Sequence, residues 1–483
     1  MTMGTTSQAP SLFIGGAWLD SDHVLDVQAP ATLATVGHVH YATRDTVERA
    51  CDVAAAAFPE WAARPARQRA DILIRAAQLI ADRADDIGRL LALETGKRLP
   101  EAVGEVKFAA EYFRWFGEEV RRPDGHAYPA EIATRRHMSH RKAIGVAAIL
   151  TPWNFPISIQ ARKLAPALAA GCTVVARASE KAPLAVVEMF KALADAGIPA
   201  GVLNLVHGRA SEVTATLLEH RAVRVVSFTG STGVGADIMP RCAQRVVRPL
   251  LELGGDAPFI VFDDADIDAA VEGAMLAKFR NAGQSCIGAN RFYVHDAVYD
   301  RFVDGFVSRV NAMTIGDGLA DPTPDLGALI DQARVDAMQQ FVDDAVNRGA
   351  TVLTKQHTLP TSGYYAAPVL VANAPDESRL SCEEVFGPVA GIFRFSNDDD
   401  VVRRANATEM GLAAYVWTTN VGRALTIPER LQAGIIGVND ALPSVVFAPM
   451  GGHKQSGLGR EGAAIGLEEF YETTYTVIGG LPA

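Results

Sequence analysis

The spacing of apolar residues changes character about a third of the way along the chain. Before it, Ile72, Leu73, Ala76, Leu79 and Ile80 recur on one face at the 3.6-residue period and predict an amphipathic helix. Asp45 and Glu48 have the spacing of a capping box and predict another helix start. From about residue 144, short unbroken apolar runs alternate with amphipathic segments: IGVAAIL at 144, CTVVA at 172, VLNLV at 202 and VRVVSFT at 223. Runs without polar alternation suit strands covered on both faces, so this rhythm predicts a doubly wound, mostly parallel sheet in an α/β fold. A second α/β unit restarts near Asp256 with FIVF, ADIDAAVEGAMLAKFRNAG and RFYVH, and runs to about Asn439. The last segment, TTYTVIGG, reads as a strand, pairing either within this chain or with another subunit.

Composition narrows the function classes. With 483 residues, 49% hydrophobic and 21% charged, the chain can bury large cores, which excludes a disordered or disulfide-scaffold protein. Its net charge of −11 gives no electrostatic reason to bind nucleic acid. The first residues lack a signal-like basic and apolar pair of regions. No stretch reaches the roughly 18 uninterrupted apolar residues of a spanning helix. The expectation is a soluble, cytoplasmic protein without membrane partners. Five scattered cysteines without CxxC spacing fit a reducing compartment, and no metal site is expected. The HMSH run at His137 to His140 reads as solvated surface.

Five segments carry candidate chemistry. FTGSTGVG, from Phe228 to Gly235, follows an apolar run and precedes a helical segment; alone it fits either a phosphate-binding turn or an ordinary strand-to-helix turn. A second strand end carries Arg177, Ser179 and Glu180, which reads as a ribose-binding carboxylate or as a solvated helix start. Cys286 in FRNAGQSCIGAN lies among small residues that suit an accessible thiol, although most lone cysteines are buried and inert. Glu252 in LELGG is either a desolvated base or a surface residue at a strand end. Asn154 in TPWNFP offers an amide donor on a sharply turned loop, of the kind that stabilises an oxyanion, or serves the turn alone.

Together, TPWNFP, GCTVVARASE, FTGSTGVG, LELGG, FRNAGQSC, EEVFGPV and GGHKQSGLGREG, in this order, resemble the aldehyde dehydrogenase superfamily over nearly the whole chain. The resemblance implies a Rossmann-like NAD(P)-binding domain over 1–123 and 144–253 and an α/β catalytic domain over 254–453. It also implies a small β oligomerisation element with the C-terminal tail over 124–143 and 454–483, giving a homodimer or homotetramer. Cys286 then matches the nucleophile that forms a thiohemiacetal and thioester. Asn154 and the Cys286 N–H match the oxyanion hole, and Glu252 matches the base that activates water, which argues against a CoA-acylating enzyme. Thr151, Pro152, Trp153, Asn154, Arg177, Ser179, Glu180, Phe228, Gly230, Ser231, Leu253, Glu384 and Phe386 match cofactor-binding positions. Arg177 replaces the usual lysine and leaves NADP open, while Glu180 favours NAD by repelling a 2′-phosphate. The expectation is NAD, with NADP not excluded.

The resemblance also suggests the substrate. Arg162 and Arg280 match two arginines that grip the carboxylate in succinic semialdehyde dehydrogenases, with Ser444 as a third, more distant anchor. On the other reading, Arg162 is a helix-surface residue and Arg280 a salt-bridge partner. VNDALPS also looks like aminoaldehyde dehydrogenases, whose cationic substrates paired arginines would repel, so aminoaldehydes or general aliphatic aldehydes are the alternative.

Overall fold

Unbroken apolar runs become strands buried at every position, as in Val146–Leu150 and Thr173–Arg177. In this computed structural model, residues 10–122 and 125–482 are described. Residues 1–9, 123, 124 and 483, which fall in the first and third of the predicted spans, lie outside them.

Five parallel strands form the centre of an eight-stranded sheet, in the order Arg248–Glu252, Val223–Thr229, Val146–Leu150, Thr173–Arg177, Leu203–Val206. Antiparallel strands flank them: Gly457–Leu458 on one side, and Leu12–Ile14 with Ala17–Leu19 on the other. Val146–Leu150 comes first in sequence among the five, and its successors lie on both sides of it. The strand order therefore reverses between Val146–Leu150 and Val223–Thr229, which opens a crevice beyond their carboxyl ends.

A seven-stranded sheet repeats the principle. Ala257–Val261 is flanked by Ala289–His295 on one side and Ala413–Trp417 on the other, all parallel, with Val389–Phe395, Val369–Ala372 and Ile435–Val438 further out. Glu252 ends a strand of the first sheet and Ala257 begins one of the second, so the LELGGD segment crosses between them. The predicted terminal strand, Tyr471–Ile478, pairs antiparallel with Arg136–Ala143 of the same chain, which in turn pairs with His126–Tyr128. His137 and Tyr475 stack across this pair. Among the described residues, no helix is long and apolar enough to cross a membrane.

The predicted amphipathic helix is Ala66–Asp82, which buries Ile72, Leu73, Ala76 and Ile80 in one core with Val106, Phe113 and Phe116 of Leu99–Glu119. The expected capping box is displaced. Thr43 caps Arg44–Ala63 by accepting from Thr46 N, Asp45 sits in the first turn, and Glu48 accepts from Arg44 Nε at 2.8 Å. A threonine hydroxyl two residues upstream had the shorter reach to the free N–H groups.

Candidate active site

The crevice collects the TPWNFP turn and the glycine-rich turn side by side. Pro156 opens the helix Pro156–Ala170, leaving Thr151 to Phe155 as a tight turn beyond the strand. Ser231 occupies the N-cap of Thr232–Ala243 without a side-chain cap bond, so that helix keeps unsatisfied N–H groups at the crevice. Gly230 N donates to Glu252 O at 3.1 Å, which ties the glycine turn to the end of the neighbouring strand.

Cys286 arrives from the second sheet, on the loop before Ala289–His295. Three successive residues, Asn281, Ala282 and Gly283, have φ of 53°, 53° and 77°, and two of them are not glycine. Such backbone costs about 1–3 kcal/mol per non-glycine residue and persists only where its surroundings impose it. Here Asn281 Nδ2 donates to Asn154 O at 3.0 Å and to Gln284 O at 3.1 Å, while Ile330 N holds the Gln284 side-chain oxygen at 3.0 Å. Asn154 Nδ2 donates to Gln284 O at 3.2 Å. The amide and the nucleophile loop are thus bonded to each other directly.

Glu252 is 1% exposed and neither of its oxygens accepts a conventional N–H or O–H hydrogen bond. Its hydrogen-bonding neighbour is the Cys286 thiol, and Arg162 Nη2 stands 3.8 Å away. Burial raises the Glu252 carboxyl above its ordinary range against the pull of Arg162. Burial, then the Glu252 charge, also raises the Cys286 thiol well above the usual value, while the thiol's hydrogen bond pulls the Glu252 carboxyl down. A carboxyl poised in this way beside a half-buried thiol can exchange protons with it and with an incoming water.

Two cavities meet at Cys286. The first, about 310 Å³, is bounded by Pro152, Trp153, Asn154, Gly230, Ser231, Leu253, Glu384 and Phe386, which brings together eight of the residues predicted for the cofactor. Gly255 N donates to one Glu384 oxygen at 3.0 Å, and burial still pushes that carboxyl up to about 7. A Cβ at Gly254 would stand 2.7 Å from the other Glu384 oxygen, so only a glycine leaves that oxygen open. Phe386, itself at φ 50°, meets Trp153 edge to face at 5.5 Å. A carboxylate, free helix N–H groups and a Cβ-free floor fit a dinucleotide's ribose and phosphates.

Thr151, Arg177, Ser179, Glu180 and Phe228 lie outside that cavity's walls. Thr151 bonds Gln160, and the Phe228 ring packs at Gly230. Arg177 is paired with Glu180 and donates to Gly208 O at 3.1 Å. Ser179 is buried and the nearest helix starts at Leu184, so the solvated helix start considered above does not exist.

The second cavity, about 330 Å³, places Arg162, Arg280 and Ser444 around Cys286 together with Phe108, Phe155 and Met450. Arg162 is buried, contrary to the helix-surface alternative. Its Nε contacts Glu461 Oε2 at 2.7 Å and Nη1 contacts the Met450 sulfur, so Glu461 keeps it charged despite burial. Arg280 makes no ion pair among the described residues; its guanidinium lies 4.8 Å over the Phe155 ring. The two arginines are therefore unequal: one is engaged, the other free. Ser444 Oγ sits 3.6 Å from the Met450 sulfur.

Sequence reasoning passed over the residues that support these. Lys97 is buried against Glu105 at 2.5 Å and donates to Asn154 O at 2.8 Å. Arg334 lines the first cavity and donates to the carbonyls of Val385 and Phe386. Ser456 Oγ donates to Gly254 O at 2.6 Å. Glu461, in GLGREG, gathers Arg162, Lys163 and Ser227, and these partners hold its carboxyl below the ordinary value despite burial. A charged residue next to glycine, as in ETGK and GLGREG, was the available signal.

The chain matches the Aldehyde dehydrogenase family over residues 18–476. It is 43% identical over 468 residues to the NADP(+) succinate-semialdehyde dehydrogenase GabD of Escherichia coli (strain K12), covering 96% of this chain and 97% of that protein. It is 42% identical to a glutarate-semialdehyde dehydrogenase of Pseudomonas aeruginosa, covering 97% of each. The crystal structure of succinate-semialdehyde dehydrogenase from Burkholderia pseudomallei superposes with a TM-score of 0.95 at 40% identity, over 99% of this chain and all of that one. The chain belongs to the aldehyde dehydrogenase family and is an oxidoreductase.

Proposed function

We propose that this enzyme oxidises a short aldehyde carrying a carboxylate at its far end, of the succinic or glutaric semialdehyde class, to the diacid with NAD(P). The observation that carries the reading is the meeting of two cavities at Cys286, one suited to a dinucleotide and the other holding the free cation of Arg280. The names of the two curated relatives fit an anionic substrate.

In this mechanism Glu252 takes the Cys286 proton as sulfur adds to the aldehyde carbon. The Asn154 amide and the Cys286 N–H receive the developing alkoxide. Glu384, Phe386, Gly230 and Ser231 would hold NAD(P), which would supply the hydride acceptor when bound. Loss of the hydride from the alkoxide carbon to that acceptor leaves a thioester on Cys286; Glu252, once it has released the thiol's proton to solvent, removes a proton from the attacking water, and a proton passes to the departing sulfur as the acid product leaves. Arg280 is the principal carboxylate anchor, because Arg162 is already held by Glu461. Ser444 adds a hydroxyl at the far wall.

Cofactor choice turns on the Arg177–Glu180 pair. Closed, it presents a carboxylate for ribose hydroxyls; opened, it frees a guanidinium for a 2′-phosphate. The eight-stranded sheet serves as the cofactor domain, the seven-stranded sheet as the catalytic domain, and the three-stranded sheet as the contact between subunits of a cytoplasmic homo-oligomer. Initial rates with succinic semialdehyde, an uncharged aldehyde of equal length and an aminoaldehyde test the substrate class. A preference for the anion that Arg280→Ala abolishes supports it; a faster neutral or cationic aldehyde overturns it.

A further inference from the structure

The turn that carries Asn154 is held by a buried ion pair, Lys97 with Glu105, that takes no part in the chemistry above. The chain leaves helix Ala84–Thr95 through Gly96 at φ 77°, and the next residue, Lys97, turns inward with its side chain fully buried. Its ammonium contacts Glu105 Oε2 at 2.5 Å, donates to the Asn154 carbonyl at 2.8 Å and lies 4.5 Å over the Phe155 ring. The other Glu105 oxygen accepts from Ile157 N at 2.9 Å and Ser158 N at 3.1 Å, the free end of the following helix. Asn281 donates to the same Asn154 carbonyl from the nucleophile loop.

A buried ion pair contributes little net stability compared with well-packed apolar residues, so stability alone does not account for a fully buried lysine here. What it does achieve is directional. Pinning the carbonyl of residue 154 and the N–H groups of 157 and 158 fixes the backbone on both sides of the Asn154 side chain. One N–H of that amide is used by Gln284 O, and the other has no acceptor among the described residues. We propose that Lys97 and Glu105 are positioning residues for the oxyanion amide: the pair fixes the backbone of residue 154 so that the free amide N–H faces the carbonyl being attacked at Cys286. This rests on the role given to Asn154 above.

The test is a double-mutant cycle. Lys97→Met with Glu105→Gln removes both charges together and so avoids leaving one buried alone. The doubly substituted enzyme is expected to melt near the parent, bind NAD(P) unchanged and alkylate Cys286 with iodoacetamide at the parent rate. Its kcat falls about 10- to 100-fold, with KM within about twofold. In an Asn154→Ala background the same two substitutions lower kcat by less than about threefold, because the group they position is gone. Glu105→Gln alone, which keeps the shape, is expected to give a smaller loss with the same non-additivity, and decides the matter if the doubly substituted chain does not fold. Equal losses in both backgrounds, or an unchanged kcat, overturn the proposal. If Asn154→Ala itself costs nothing, the oxyanion assignment falls with it, which separates the two failures.

Discussion

The two cavities at Cys286 are almost equal in volume, about 310 and 330 Å³, yet they are built in opposite ways. The first is made largely of short contiguous turns, 152–154, 229–231 and 253–254, closed by Arg334, Glu384 and Phe386. The second is made mostly of side chains spaced along two helices, Leu99–Glu119 and Pro156–Ala170, joined by Arg280, residues 285–287 and loop residues out to Met450. Turn geometry constrains several consecutive residues at once, so the first cavity is written as motifs. A side chain reaching in from a helix constrains one position, so the second is written as scattered letters.

The largest expected effect removes what both cavities share. Cys286→Ala is expected to abolish aldehyde oxidation, a loss of at least about 10³-fold in kcat, while NAD(P) binding measured by fluorescence quenching persists. Retained turnover would place the nucleophile elsewhere.

Glu252→Gln sharpens the boundary between the cavities, because its two effects differ in sign. Hydrolysis of the thioester is expected to slow by about 10²-fold or more for want of a base. The Cys286 thiol, by contrast, is raised first by burial and then by the Glu252 charge. Neutralising that charge lowers the thiol's pKa, so the pH midpoint of its alkylation by iodoacetamide moves down. An upward movement would mean that Glu252 favours the thiolate instead of opposing it.

Arg280→Ala breaks the second cavity alone. Losing a charge-assisted contact costs about 1.5–3 kcal/mol, so KM for the anionic aldehyde rises about 10- to 100-fold while an uncharged aldehyde is nearly unaffected. Arg162→Ala is expected to cost folding as well, because it takes one of two cations, Arg162 and Lys163, from the buried Glu461 carboxylate. Thermal denaturation of the two variants separates these roles.

The same contrast explains what was legible beforehand. The runs at 144, 172, 202 and 223 became buried parallel strands because covering both faces leaves no polar alternation to hide them. Thr43 in place of Asp45, and the pairing of Glu461 with Arg162, were invisible because each depends on which of several polar groups lies nearest in space. Lys97 was missed for a related reason: a lysine in a helix-to-helix turn reads as solvated until the fold encloses it.

The smallest effect expected is a pH dependence confined to the first cavity. Burial lifts the Glu384 carboxyl from the ordinary 4.5 to about 7. A group raised in the folded state favours folding most below its unfolded value and loses that contribution as pH rises through the folded one. For Glu384 the free enzyme should therefore lose stability between pH 4.5 and about 7. Cofactor binding runs the other way, since ribose hydroxyls donate better to a carboxylate than to a neutral acid. The rise in melting temperature produced by saturating NAD(P) should accordingly grow across that window and level off above it. Glu384→Gln, which cannot ionise, should flatten this growth while leaving the response of the second cavity to the anionic aldehyde intact. A cofactor-induced shift that keeps its slope in Glu384→Gln would move the titrating group out of the first cavity.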